Sequence, residues 1–274
     1  MLLYVKRLVS AIFFIAVWCL HGYTLTSQSA VFPGTEWKVR SPESQGIDVA
    51  KLEAALKYLE SQCGDNGIRE TVVIRNGYLI YEGSDSRVQH PTWSIGKAFT
   101  STVLGLLIED GKCSLQDTAA KYEPLLSERY QNVRLRHFTT HTSGYDGEGG
   151  DRWRKTPAFF GDWGPTPYIP DTPLFPPGSA FLCWDEAMMM FGRTLTRIVG
   201  KDLKDFMTER ITGPIGLGEW DWDTEGELDG IPIRFGGGNV VISARQLARF
   251  GWLFLNRGKR YQGGWRAEFA GCAG

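Results

Sequence analysis

The stretch from Ser94 to Asp110 constrains the fold more than any other part of the sequence. Its residues follow the spacing of an α-helix whose sides are mostly apolar, and a helix of that kind has to be enclosed by other elements. We expect it to start at Ser94 and to end at Gly111, a typical helix stop. The side chains expected to point inward are Ile95, Ala98, Phe99, Thr102, Val103, Leu106 and Leu107.

The first turn of this predicted helix contains a serine and a lysine three residues apart. Ser94 and Lys97 would lie on one face of a helix, so the lysine amine could reach the serine hydroxyl. A hydroxyl beside an amine is the geometry of a nucleophile with its base. The spacing alone is weak support, because a Ser-x-x-Lys pair also arises by chance in a chain of this length.

Regular structure is predicted on both sides of this stretch. Asp48 is a suitable N-cap for an amphipathic helix over 49–60. Asn76-Gly77, between two β-rich runs over 71–75 and 78–81, is a strong hairpin signal. Further helices are expected over 117–126, 185–199, 201–211 and 244–255, the last one capped by Ser243, and short strands or loops over 220–223, 231–235 and 240–242.

The order of these elements predicts the α+β class. Strands lie near the two ends of the chain and helices lie between them, which favours an antiparallel sheet built from both ends, flanked by helices and with an inserted helical subdomain. The glycine-, proline- and tryptophan-rich segment 147–178 has little periodicity and is expected to be a long ordered surface loop. The three methionines at 188–190 are predicted to fill the core.

Length and charge exclude some classes of protein. The chain has 274 residues and a formal net charge of −1, so it can bury a large core but has no basic block for a nucleic-acid surface. We therefore expect no nucleic-acid partner. The sequence also has no phosphate-binding loop and no dinucleotide fingerprint, which favours a protein without a cofactor.

The N-terminus resembles an export signal. Lys6 and Arg7 precede an apolar run over 8–20 that is interrupted only by Ser10, and small residues follow at Ser27, Ser29 and Ala30. The apolar run is short for a membrane span, and the order of charged, apolar and small residues is that of a secretory signal peptide. We predict a signal peptide over 1–29, a secreted or periplasmic protein and no stable membrane partner after cleavage; an uncleaved membrane anchor is the alternative.

Five cysteines occur, at positions 19, 63, 113, 183 and 272, and the first lies inside the predicted signal. An oxidising compartment permits disulfides. Because four remaining cysteines allow three pairings, the sequence predicts no particular bridge.

Several segments in a fixed order resemble the serine beta-lactamase-like hydrolases of the class C, D,D-peptidase and esterase type. These segments span roughly residues 40–258, and their order is far more specific than any one of them. They are Ser94–Lys97, Leu115–Asp117, Lys121–Pro124, Leu135–Gly144, Pro177–Ser179, Gly213–Leu217, Gly237–Gly238 and Ile242–Gly251. The resemblance implies a helical subdomain packed on an antiparallel sheet.

The resemblance also implies a mechanism. The Ser94 hydroxyl would attack a carbonyl and form an acyl-enzyme that water releases, with Lys97 as the base. A lysine can accept the proton only when it is neutral. The backbone N–H of Ser94 would suit one half of an oxyanion hole. The implied substrates are small esters, amides or peptide-like molecules.

Two departures from the family pattern affect the expected activity. Relatives carry Tyr-x-Asn just after Pro-Gly-Ser, but this chain has Cys183 at the tyrosine position and Asp185 at the asparagine position. Cys183 would be a substitute proton carrier, a sign of impaired activity, or a packing residue. Asp185 would contribute to substrate binding.

The second departure concerns a third motif, Lys-Thr-Gly or His-x-Gly, which is expected after the helix over 244–255 and is not found there. We therefore expect the chain to be truncated relative to its relatives, with incomplete C-terminal strands. The predicted domain spans 30–274, with sheet parts at about 38–90 and 220–274 and a helical part at about 91–215.

Other chemistries fit the sequence less well. His137 and His141 are four residues apart, but no glutamate lies between them in the pattern of a zinc protease helix, so no metal site is predicted. An α/β-hydrolase elbow, Gly-x-Ser-x-Gly, is absent. Together with the predicted export signal, the resemblance implies an exported serine hydrolase. Esterase or peptidase action is expected rather than penicillin cleavage, because the Tyr-x-Asn and third motifs are not intact. The alternative is an impaired relative that binds cell-wall or ester-like ligands without turnover.

Overall fold

The computed structural model describes residues 31–148 and 167–258 of the chain. By its contacts the chain divides after Val31, and the elements below all belong to the unit Phe32–Gly274. The predicted signal peptide over 1–29, Cys19, Cys272 and the middle of the predicted loop over 147–178 lie outside the described residues. The domain boundaries stay a prediction.

A surface helix and a hairpin come first, as predicted. Helix α1 (Val49–Gln62) starts at Asp48, whose side chain accepts a hydrogen bond from the backbone N–H of Lys51 at 3.2 Å. Strands β1 (Val72–Arg75) and β2 (Tyr78–Glu82) pair antiparallel. Asn76 and Gly77 have φ of 53° and 82°, the left-handed backbone that a type I′ turn requires.

Helix α2 (Lys97–Glu109) is the buried helix that the sequence predicts. Its buried residues include Phe99, Val103 and Leu107, each with 0 % of its surface exposed. The ring of Phe99 stacks on Phe250 with 4.2 Å between centroids and contacts Trp222 edge-on. Helix α2 is therefore enclosed by elements from the C-terminal part of the chain.

The start of this helix differs from the prediction. Residues Trp93–Gly96 form a 3-10 turn, and the α-helix begins only at Lys97. A 3-10 turn has about three residues per turn, so the side chains in it do not follow the helical spacing used for the prediction. Ile95, predicted to point inward, is 50 % exposed. The prediction for Ile95 is wrong for this reason.

The region from 117 to 126 also differs from its prediction as a helix. It contains two 3-10 turns, Ala119–Lys121 and Pro124–Leu126, with Glu123 extended between them. Pro124 has no N–H and disfavours helical backbone at the residue before it. The proline therefore explains the break.

Three of the remaining helices lie close to the predicted ranges 185–199, 201–211 and 244–255, and a fourth, over 135–139, was not predicted. Their bounds are α3 (Leu135–Thr139), α4 (Asp185–Val199), α5 (Leu203–Met207) followed by a π-helical turn (Thr208–Thr212), and α6 (Ala244–Leu255); short turns occur at Glu43–Gln45 and Gly64–Gly67. Ser243 and Gln246 form a capping box at the start of α6. Met188, Met189 and Met190 are all buried in the core, as predicted.

The remaining strands join the two parts of the chain. They are β3 (Gln89–Pro91), β4 (Asp221–Trp222), β5 (Thr224–Leu228), β6 (Ile231–Arg234) and β7 (Val240–Ser243). In the order β3-β7-β4, β7 pairs antiparallel with both neighbours. Strand β3, from the first third of the chain, thus lies against the C-terminal part.

The predicted α+β class is confirmed. The structure differs in one respect: within the described ranges the strands form three small antiparallel sheets, β1-β2, β3-β7-β4 and β5-β6, instead of a single sheet. None of the described helices is long and apolar enough to cross a membrane. Cys63, Cys113 and Cys183 are free thiols, and burial raises the pKa of Cys113 to about 11.

A half-buried carboxyl on β5 makes stability depend on pH. Burial, and to a smaller extent the charge of Asp223, raises the pKa of Glu225 from 4.5 to about 7. Between these two values the folded state binds the proton that the unfolded state releases, so stability falls as pH rises. Glu225→Gln is expected to raise the free energy of unfolding at pH 8 by about 2 kcal/mol, allowing for partial exposure.

Urea denaturation at pH 5 and pH 8 measures this effect. In the wild type, the free energy of unfolding should be lower at pH 8 than at pH 5. Glu225→Gln should lose this difference, whereas Glu227→Gln, at an exposed position on the same strand, should retain it. A pH dependence that is unchanged in Glu225→Gln would contradict the assignment.

Candidate active site

The serine and lysine singled out by the sequence lie at the junction of the 3-10 turn and α2. The Nζ of Lys97 donates a hydrogen bond to the Oγ of Ser94 at 3.1 Å. Side chains at i and i+3 nearly eclipse in a 3-10 turn, which brings the amine over the hydroxyl. Lys97 is mostly buried, with 18 % of its side chain exposed.

A glycine-rich loop between β6 and β7 holds the lysine from the other side. The Nζ of Lys97 also donates to the carbonyl oxygen of Gly237 at 2.5 Å, and the hydroxyl of Thr100 donates to the carbonyl oxygen of Gly236 at 2.8 Å. The amine therefore has two fixed acceptors, which leaves it little freedom to move away from Ser94. Sequence reasoning identified Gly237 as part of a family segment but did not place its carbonyl on Lys97.

Asp185 is the first residue of α4, and its carboxyl lies close to the lysine. Its Oδ1 lies 3.7 Å from the Nζ of Lys97. Burial raises the pKa of Asp185, while the charge of Lys97 acts in the opposite direction. The structure thus brings together Ser94, Lys97 and Asp185, and the role of each one stays a prediction.

Cys183 lies two residues before α4 and is exposed. Among the described residues, no hydrogen bond links its thiol to Ser94 or to Lys97. Its neighbour Trp184 donates from Nε1 to the carboxylate of Asp146 at 3.1 Å, which anchors this segment to the loop after α3. The predicted proton-carrying role of Cys183 is not tested by this arrangement.

His141 is a neighbour of the site that sequence reasoning missed. Its pKa is lowered by burial and by the charge of Lys97, so the imidazole is neutral at neutral pH. The Nδ1 atom is buried and has no hydrogen-bond partner among the described residues, and the ring contacts Phe181 edge-on at 5.8 Å. The available signal was the family segment Leu135–Gly144, which contains His141, but His141 was considered only for a metal site.

No cluster of three or more metal-binding side chains occurs in the described part of the chain. An amine held on a hydroxyl at 3.1 Å can accept the proton of that hydroxyl when the amine is neutral. This arrangement suits nucleophilic attack by Ser94.

Comparisons with known proteins bear on the family and the fold of the chain. A beta-lactamase from Pseudomonas fluorescens is 26 % identical over 129 residues, which are 45 % of this chain and 34 % of that protein. Among solved structures, an octameric penicillin-binding protein homologue from Pyrococcus abyssi matches with a TM-score of 0.58 and 20 % identity, over 78 % of this chain and 57 % of that one.

A D-alanine carboxypeptidase from Burkholderia cenocepacia matches with a TM-score of 0.55 and 20 % identity, over 79 % of this chain and 67 % of that one. At these identities the solved structures establish the fold. The chain spans about a third of the curated relative and little more than half of the Pyrococcus protein. The family profile described as Beta-lactamase matches residues 71–268, and the chain therefore belongs to the Beta-lactamase family.

Proposed function

We propose that this protein is a serine hydrolase that forms an acyl-enzyme on a small ester, amide or peptide-like substrate. The observation that carries the proposal is the 3.1 Å hydrogen bond from the Nζ of Lys97 to the Oγ of Ser94, together with the second contact of that amine at Gly237. Support also comes from the matched relatives, whose names describe a beta-lactamase and a D-alanine carboxypeptidase.

The proposed reaction has two halves. The Oγ of Ser94 forms a bond to the substrate carbonyl carbon while its proton passes to the neutral amine of Lys97. The tetrahedral intermediate then expels the alcohol or amine, which takes the proton from the Lys97 ammonium. Water next attacks the acyl-serine and releases the acid. The backbone N–H of Ser94 is proposed as one donor to the developing oxyanion.

Active-site labelling tests this proposal. The purified protein would be incubated with a fluorophosphonate and, separately, with a fluorescent penicillin, and its intact mass would be measured. We expect one adduct with the fluorophosphonate that is absent from Ser94→Ala. A folded wild-type sample that forms no Ser94-dependent adduct with either reagent would refute the hydrolase.

The charge beside the lysine leads to a prediction about rate. The carboxylate of Asp185, 3.7 Å from Nζ, attracts positive charge, whereas the proposed reaction uses an uncharged amine. Asp185→Asn keeps the shape and removes the charge. It is expected to raise the fluorophosphonate labelling rate at pH 7 by about tenfold.

The matched control is Asp205→Asn, at an exposed position on α5, which should label at the wild-type rate. A rate for Asp185→Asn that falls below wild type would contradict the prediction and would show that the carboxylate itself is required.

A second candidate function is a family member that binds ester-like or cell-wall ligands without turnover. The exposed thiol of Cys183, with no described hydrogen bond to Ser94 or Lys97, favours it. In that case Cys183→Tyr is expected to raise ester turnover by about 100-fold by supplying a proton carrier. Cys63→Tyr, at another exposed free cysteine, is the control. If Cys183→Tyr has wild-type turnover, this second function loses its support.

We also propose that the protein is exported. The support is the order of charged, apolar and small residues over 1–29. N-terminal sequencing of protein from the periplasm or medium of producing cells tests this proposal. A chain recovered only in the cytosol, still beginning at Met1, would contradict it.

A further inference from the structure

The residue before Ser94 has an unusual backbone. Trp93 has φ of 50°, in the left-handed region that a bulky side chain rarely occupies. Its side chain is 52 % exposed, so burial of the indole does not account for the conformation. Strained backbone of this kind persists only where surrounding structure imposes it, and it concentrates at functional sites.

The pairing of β3 with β7 imposes this conformation. The two segments continue to pair beyond Pro91 and Val241. The N–H of Thr92 donates to the carbonyl oxygen of Val240 at 2.9 Å, and the N–H of Asn239 donates to the carbonyl oxygen of Trp93 at 3.1 Å. Asn239 is itself left-handed, with φ of 55°. Both segments therefore change direction at residues that face each other, Trp93 and Asn239, and Ser94 follows directly after Trp93.

Two glycines allow the two backbone segments to approach this closely. A Cβ on Gly238 would lie 2.5 Å from the carbonyl oxygen of Trp93, and a Cβ on Gly96 would lie 2.6 Å from the carbonyl carbon of Gly238. Real Cβ atoms are not found at such distances, so the backbone would have to shift. The 3-10 turn that contains Ser94 is thus in direct backbone contact with the loop that holds Lys97 at Gly237.

We propose that Trp93, Gly238 and Asn239 form a backbone elbow that aims Ser94 at Lys97, and that they are positioning residues for the reaction. This inference rests on the proposed hydrolase function for its kinetic consequence. The left-handed backbone at position 93 is the required feature, and the indole ring is not. A shift of about 1 Å in the nucleophile is enough to reduce the rate about 100-fold.

Substitutions at position 93 separate the backbone from the ring. Trp93→Gly removes the ring but adopts the left-handed conformation readily, and it should label with fluorophosphonate at nearly the wild-type rate. Trp93→Val removes the ring but strongly disfavours that conformation, and it should label about 100-fold more slowly than Trp93→Gly. Trp93→Ala, which is milder, should fall between them and serves if the valine variant does not fold.

The matched control is Asp229, an exposed residue in the turn between β5 and β6 with φ of 54°. Asp229→Val should melt at a lower temperature than Asp229→Gly, because the same strain is introduced, but the two should label at the same rate. Gly238→Ala should label slowly, whereas Gly251→Ala, whose Cβ would meet nothing within 4 Å, should not.

Two outcomes would overturn the elbow. In the first, Trp93→Val and Trp93→Gly both label at about the wild-type rate. In the second, both label much more slowly than wild type, which would assign the effect to the ring. If the wild type does not label at all, the hydrolase proposal fails, and crystal structures of the variants still decide on the elbow. The elbow predicts that the 3.1 Å separation of Ser94 Oγ and Lys97 Nζ is kept in Trp93→Gly and lost in Trp93→Val; an unchanged separation in Trp93→Val would refute it.

Discussion

Lys97→Met is expected to lower the rate of Ser94 labelling by about 10²–10⁴-fold, the range for loss of a positioned general base. Methionine has nearly the length of lysine and fills the same space, so the 18 % exposed position stays packed. What is lost is the amine that contacts Ser94 and Gly237. The serine hydroxyl then has no adjacent group to take its proton.

The measurement is the time course of intact mass with fluorophosphonate, combined with circular dichroism to show that the variant is folded. Lys201→Met is the matched control. The side chain of Lys201 is 41 % exposed, and its described ion pair is with the exposed Glu209. This variant should label at the wild-type rate. A folded Lys97→Met protein that labels as fast as wild type would remove Lys97 from the mechanism.

Glu123→Ala is expected to have the largest effect on stability. The Glu123 side chain is 0 % exposed, and its Oε2 accepts hydrogen bonds from the Nε atoms of Arg193 at 3.0 Å and Arg197 at 2.8 Å, both on α4. Its Oε1 accepts from the backbone N–H of Leu125 at 3.2 Å. Removing the carboxylate leaves two guanidinium groups without this partner, and the Arg193 side chain is only 13 % exposed.

Breaking a buried ion pair from one side costs about 3–5 kcal/mol, which corresponds to a decrease in melting temperature of about 10 °C for a chain of this size. Thermal and urea denaturation measure the loss. Glu209→Ala, which removes an exposed ion pair with Lys201, should cost less than about 1 kcal/mol. A loss for Glu123→Ala no larger than that of Glu209→Ala would contradict the importance of this cluster.

The sequence predicted those elements whose signals are local. The turn at Asn76-Gly77, the bounds of α4 and the N-cap at Ser243 were all predicted correctly. In each case the relevant dihedral angle, apolar period or hydrogen bond involves residues a few positions apart. The proximity of Ser94 and Lys97 belongs to the same group, since they are three positions apart and any helical turn brings such side chains together.

Pro124 shows that even local signals compete. An apolar helical pattern and a helix-breaking proline occur together in 117–126, and the proline prevailed, because a missing N–H and a steric clash cannot be offset by spacing. At Ile95 the tighter 3-10 turn changed which side chains face inward.

The residues that complete the site depended on tertiary structure. The carbonyl of Gly237 is 140 positions from Lys97, and Trp93 takes its left-handed backbone because β3 pairs with β7 across a similar interval. His141 is near the lysine only because the loop after α3 folds back toward α4. From its sequence alone, this protein can be assigned a family fold, with Ser94 and Lys97 as the candidate nucleophile and base. How Lys97 is held and how the backbone turns at Trp93 were decided by contacts between distant segments. No local preference would place a tryptophan in a left-handed turn or a carbonyl on that amine.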